Sequence, residues 1–200
     1  MAALRTEVAR FLKEISALEA LISELEGLPP AHQKLIAELI IIKLAVGLEN
    51  CLSQGFYRLA SGQADLKGDL LVRHSHPSTI AAAKSELLAG CRNSPWLNTS
   101  DTCKCLEKVV VASDPILSRI RRHGNTVSSI RKIRNHVAHK NRNSSTKFGD
   151  VVRQVYGARL NSISPGTLLL TKRAGSRPLC QQLIIGARVA TIEIFRVPNS

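Results

Sequence analysis

One stretch of this chain, Ile133-Arg134-Asn135-His136-Val137-Ala138-His139, concentrates residue types able to handle a phosphate and a proton. Arg134 and His139 enclose four residues, which on a helix sets them between one and two turns apart. They do not share one face, but the long arginine side chain can swing toward the imidazole. Asn135 and His139, four apart, do share a face, and Arg131 continues that line one turn earlier. A histidine with its ordinary pKa of about 6.5 can take or give a proton near neutrality. An arginine stays protonated and offers a planar fork of donors to a phosphate as negative charge builds on it. Together these groups suit cleavage of RNA without a metal. The ribose 2′-hydroxyl would attack the adjacent phosphate, a base would remove its proton, and an acid would protonate the leaving 5′-oxygen. DNA lacks that hydroxyl, so the reaction would be specific to RNA.

Spacing alone is weak support. With seventeen Arg and six His in 200 residues, an Arg-x4-His pair arises by chance about 0.5 times. A second such pair, Arg131 and His136, is present. The surroundings add weight. Residues 1–100 carry ten basic and ten acidic side chains, whereas residues 101–200 carry eighteen basic and five acidic ones. No acid lies between Asp114 and Asp150, a gap that holds nine Lys and Arg residues. Such clustering reads as a surface for a polyanion, most often nucleic acid. Arg131, Lys132, His136, Lys140 and Arg142 are the residues expected to hold RNA there. A solvated basic face, or one that docks an acidic protein partner, is the alternative.

The elements that must position this motif read as helices. Val127, Ile130, Ile133 and Val137 form an inward stripe on a helix expected from Val127 to Arg142, with Thr126 as its cap. Before it, Ser113-Asp114-Pro115 signals a helix start, a cap followed by Pro at the first helical position, running to Arg122. At the N-terminus, Leu4, Val8, Phe11, Ile15, Leu18, Ile22 and Leu25 recur every three or four residues, a stripe ended by Gly27 and Pro29-Pro30. A second long helix is expected from Ala31 to Ala60, apolar almost all round through Leu35–Ile42 and therefore central. The two form an antiparallel hairpin. Shorter helices are expected from Ser78 or Thr79 to Leu88 and from Asp101 to Ala112, with residues 61–77 and 90–100 as loops. Beyond Asn143, Asp150–Leu160 reads as helix and Ser164-Pro165-Gly166 as a turn. Gly166–Lys172 and Thr191–Val197 read as short paired strands, or else Pro178–Phe195 forms one last helix.

The fold class is thus mainly α, a helical bundle with a long antiparallel hairpin and a C-terminal extension in which short strands are an option. With 44% hydrophobic and only 4% aromatic residues, the core must come from Leu, Ile, Val and Ala. Arg134-Asn135-His136-Val137-Ala138-His139 resembles the Arg-polar-x-x-x-His signature of the HEPN superfamily, small helical domains common in prokaryotic defence and toxin–antitoxin systems. The order of elements, a long hairpin and then shorter helices leading to the motif helix, is similar too. The resemblance covers roughly residues 3–143, so 1–143 is taken as the HEPN-like domain and 144–200 as an extension packing on it. It implies a metal-independent endoribonuclease acting as a homodimer, its two motif helices facing each other across a cleft. It implies His139 as acid/base, Arg134 as phosphate-stabilising partner and Asn135 as orienting residue, with His136 at a variable position. Toxins of this kind that are modified by a nucleotidyltransferase carry a Tyr two residues after the motif His; here that residue is Asn141. An antitoxin that masks the site would be an acidic protein partner.

Other groups carry less. Five cysteines, odd in number and irregularly spaced, with no secretion signal, read as reduced thiols in a cytoplasmic protein. Cys91, Cys103 and Cys105 lack the CxxC spacing of zinc sites, so no metal or other cofactor is expected. Gly55, Gly62 and Gly68 do not make a phosphate-cradling loop. The apolar run Leu35–Leu48 is short and interrupted by Glu38 and Lys43, a buried helix rather than a membrane span. Glu49 needs either a basic partner near the motif or a place on the one wet face of its helix. His74 and His76 read as loop residues and His123 as a helix end; Trp96 and Phe148 could stack on bases or simply pack.

Overall fold

The computed structural model describes residues 2–63, 71–158, 160, 162–173 and 175–196, and all regular structure in them is helical. The long elements are α1 (Ala2–Ser23) and α2 (Pro30–Ala60), joined through a single 3-10 turn (Leu25–Gly27). Then come α3 (Ile80–Leu88), α4 (Thr99–Leu106), α5 (Pro115–Arg122), α6 (Gly124–His139), α7 (Arg142–Tyr156), α8 (Pro165–Leu170) and α9 (Leu179–Phe195). The N-terminal stripe is buried from Leu4 through Leu18, and it lays α1 along α2 and α9. Among the described residues, no helix is long and apolar enough to cross a membrane.

α2 is the central element. Ala37, Ile40, Ile41, Leu44, Ala45 and Leu48 are fully buried, and α1, α3, α6, α8 and α9 pack around them. All-round burial of its apolar run does not follow, however. Leu35, Leu39 and Val46 are 56%, 49% and 44% exposed, a stripe on the side of α2 that no described element covers.

Local capping explains where the other helices begin and end. Asp114 accepts the Ile116 N–H at 2.9 Å and Pro115 takes the first position of α5. α4 stops at Leu106, short of the expected Ala112. Residues 107–109 turn instead, and Val110 pairs with Arg73 in a single antiparallel bridge, with the Val111 N–H on the Val72 carbonyl and the His74 N–H on the Val109 carbonyl, each at 2.9 Å. The motif helix α6 starts at Gly124 rather than after a Thr126 cap, and it ends at His139. Asn141 and Ser144 form a capping box, Asn141 Oδ1 accepting the Ser144 N–H at 2.9 Å and Ser144 Oγ accepting the Asn141 N–H at 3.1 Å. Arg142 therefore opens α7 instead of closing the motif helix.

The strand option for the C-terminal part is overturned. Among the described residues there is no strand, and Gly166–Leu170 and Thr191–Phe195 are helical; Val197 lies outside the described residues. Ser164-Pro165 is a helix start, not a turn: Ser164 Oγ accepts the Thr167 N–H at 3.2 Å. Glu38 of α2 accepts the Gly166 N–H at 2.9 Å, and a Cβ at Gly166 would meet the Lys34 backbone at 2.7 Å. Close docking on α2 thus overrides the strand preference of a short apolar run.

Candidate functional site

α6 is held by its stripe. Val127, Ile130 and Ile133 are buried and Val137 partly so, packing the helix on α2 and α7. Its other side forms one wall of an open cleft of about 490 Å³. Arg131, Lys132, Arg134, Asn135 and His139 all line it. Facing them are Glu49 from α2, Asn93 and Ser94 from the loop between α3 and α4, and Lys147 from α7.

Arg134 and His139 stand about 140° apart round the helix axis. Arg134 emerges half-buried from the flank, and its Nη1 donates to Asn135 Oδ1 at 2.9 Å. That bond engages one arm of the guanidinium, and its other donors make no hydrogen bond among the described residues. The His139 side chain is exposed and makes no hydrogen bond among the described residues. One donor fork and one free imidazole thus border the same space, with Asn135 between them.

The remaining residues expected to hold RNA separate. Lys132 lines the cleft while its ammonium lies 3.8 Å from the Asp150 carboxylate. Lys140 and Arg142 are exposed beyond the end of α6 and do not line the cleft. His136 turns the other way. Its ring stacks on Phe148 at 4.5 Å and 17°, with Ser144 Oγ at 3.5 Å from Nδ1. Burial holds its pKa below the ordinary histidine value, the nearby Lys140 charge adds to this, and Glu38 opposes it.

Trp96 packs on Phe56 and Tyr57, and both Trp96 and Phe148 are buried, so neither presents a face to a base. His123 joins α5 to α6, with Nε2 2.8 Å from Glu193 of α9. That hydrogen bond, with the Arg122 charge, holds the Glu193 carboxyl below the usual carboxylate range.

The loop residues of the cleft were not apparent from the motif, whereas Glu49 had been singled out for a basic partner near the motif or a wet face of its helix. Asn93 and Ser94 signal only a loop, and nothing local says that this loop reaches α6. Glu49 lines the wall opposite the motif, with no cation within salt-bridge distance among the described residues. The cleft also continues. Asn93 and Ser94 border two further depressions, one of about 400 Å³ reaching Lys84 and Arg92, the other of about 420 Å³ reaching Lys104 and Arg131.

A separate cavity of about 290 Å³ between α6, α7 and α9 has no acid, histidine or cysteine among the described residues that line it. It therefore holds no group for proton transfer near neutrality. Among the described residues, no three of His, Cys, Asp and Glu are grouped so as to hold a metal ion. No family model matches this chain, and neither a curated protein nor a solved structure matches it.

Proposed function

We propose that the chain is a HEPN-type endoribonuclease, of the kind used as a toxin or a phage-defence effector, that cuts RNA at the cleft beside α6. The observation that supports this reading is that Arg134, Asn135 and His139 border one open, basic cleft. The ribose 2′-oxygen attacks the adjacent phosphorus and the bond to the 5′-oxygen breaks. A base takes the proton of the 2′-hydroxyl, and the leaving 5′-oxygen receives one. His139 serves in this proton transfer, and the open donors of Arg134 hold the phosphate as charge builds on it. Asn135 keeps the guanidinium turned to the cleft. Arg131, Lys132 and Lys147 attract the flanking phosphates.

The active form is a homodimer. Leu35, Leu39, Ile42 and Val46 make a stripe along α2 at spacings of four, three and four. Exposed apolar stripes of this kind mark interaction surfaces. This one leads toward Glu49 on the cleft wall, so a second copy seated there brings its own cleft alongside. An acidic antitoxin covering the cleft is compatible with the same charge pattern.

The test is cleavage of single-stranded RNA by purified protein with EDTA present, and with inhibitors of common contaminating nucleases. The expected products carry 2′,3′-cyclic phosphate and 5′-hydroxyl ends, and His139→Ala and Arg134→Ala slow their formation by about 10²–10⁴-fold. Salt-sensitive RNA binding without turnover would instead identify a non-catalytic nucleic-acid-binding module.

A further inference from the structure

The cysteines take no part in that reaction, yet two of them meet at the foot of the loop that walls the cleft. Cys91 follows the turn at Gly90 (φ +72°) after α3, and Cys105 sits in the last turn of α4. Their sulfurs are 3.2 Å apart. A disulfide spans about 2.05 Å, so closure requires an approach of roughly 1.2 Å. Cys105 is fixed on its helix and only 2% exposed, whereas Cys91 is half-buried on a loop that can supply the movement. The Lys108 ammonium, which donates to the carbonyls of Leu87 and Ala89, lies 4.0 Å from the Cys91 sulfur. A positive charge thus stands beside the sulfur that solvent can reach. Cys51, Cys103 and Cys180 are buried.

We propose that Cys91 and Cys105 are a reversible dithiol–disulfide pair, oxidised by a low-molecular-weight disulfide such as glutathione disulfide. The Cys91 thiolate attacks one sulfur of the small disulfide, whose S–S bond breaks. A mixed disulfide forms on Cys91, and the departing thiolate takes up the proton that Cys91 lost. Cys105 then attacks the Cys91 sulfur and expels the second small thiol, which takes the Cys105 proton. Two protein thiols are oxidised and one small disulfide is reduced to two thiols. Cys91 reacts first because it is the half-buried sulfur, with the Lys108 ammonium beside it, whereas burial and the contact with Cys91 push the Cys105 thiol up to about 12.

The bond would pin the loop to α4. Asn93 and Ser94, which line the cleft, follow Cys91 by two and three residues, so oxidation acts on the cleft wall. The pairing itself does not depend on the ribonuclease reading, and its test needs no RNA.

The full chain is incubated undenatured with glutathione disulfide, quenched by alkylation and mapped by peptide mass spectrometry. The expected result is a Cys91–Cys105 cross-linked peptide, a protein lighter by two hydrogens, and reversal by dithiothreitol. Amide exchange over residues 89–98 should slow in the oxidised form. Cys105→Ser should stop at a glutathione adduct on Cys91, and Cys91→Ser should stay unmodified. A stable adduct on Cys91 of the natural chain, an unreactive Cys91, or a bond to Cys51, Cys103 or Cys180 would overturn the pairing. Unchanged exchange over 89–98 would overturn the pinning of the loop. The natural chain alone decides both points, so a variant that fails to fold costs nothing.

Discussion

The two histidines of the motif are three residues apart, and their surroundings set them to different work. His139 is exposed beside the cleft, so His139→Ala should cut the cleavage rate by about 10²–10⁴-fold and leave thermal stability unchanged. Arg134→Ala should do as much. Arg134→Lys should not restore the rate, because an ammonium lacks the planar fork that holds Asn135 and a phosphate together. A variant of either residue that cleaves at the natural rate rules out this pair. His136, stacked on Phe148, belongs to the fold instead. Its pKa is lower in the folded chain than in the unfolded one, so folding favours the neutral ring. The stability this gives is complete above the unfolded value of about 6.5 and is lost as pH falls through the folded value. A melting series from pH 7.5 down through the histidine range, about one unit either side of 6.5, should show Tm falling in the natural chain and falling less in His136→Gln. Equal slopes in the two proteins would show that His136 titrates alike folded and unfolded.

At the scale of the elements, the break between α6 and α7 decides which motif residues face the cleft. Asn141 and Ser144 cap α7 and bring Phe148 under the His136 ring. Asn141→Ala should lower stability by about 1 kcal/mol, read as a lower denaturation midpoint at unchanged slope. Asn141→Asp, which keeps the accepting oxygen, should lose far less; equal losses in both would mean that the cap is not what Asn141 contributes. This junction was also one of the boundaries that periodicity misplaced. The stripe Val127, Ile130, Ile133, Val137 locates α6, but stripes do not mark ends, and Asn-x-x-Ser is a less telling signature than Ser/Thr-x-x-Glu. Where the cap was explicit, as at Asp114-Pro115 or Thr79, the start of the helix was legible. α8 was not, because six residues of Pro-Gly-Thr-Leu-Leu-Leu carry too little pattern, and their helix depends on Glu38 and Lys34 of α2. The candidate site divides in the same way. Arg134, Asn135 and His139 sit on one helix and could be read locally. Glu49, Asn93 and Ser94 reach the cleft only through packing between distant segments, which no spacing rule encodes.

The molecule as a whole sets its basic half against a nearly neutral one. Of the nine cations between Asp114 and Asp150, eight fall on α5, α6 and α7 and Lys140 on the link between the last two, and four of the nine border the cleft. Concentrated positive charge of this kind draws in a polyanion and costs the compact state some self-repulsion. The exposed stripe on α2 has the opposite character. Leu35, Leu39 and Val46 are each more than two-fifths exposed, and a lone chain leaves that apolar area against water. In the proposed homodimer a second copy seated on the stripe would remove it from water and bring a second basic cleft to the same RNA. On that reading Leu39→Glu places a charge in the middle of the seam and no cavity in the core. Sedimentation should find a dimer for the natural chain and a monomer for the variant, with helix content unchanged. The Tm of the natural chain should rise with protein concentration and that of the variant should not. If the cleft works only in pairs, cleavage should fall with the dimer, and mixing Leu39→Glu with intact chains should not rescue it. A monomeric variant that cuts RNA at the natural rate would detach dimerisation from catalysis and leave the stripe to another partner.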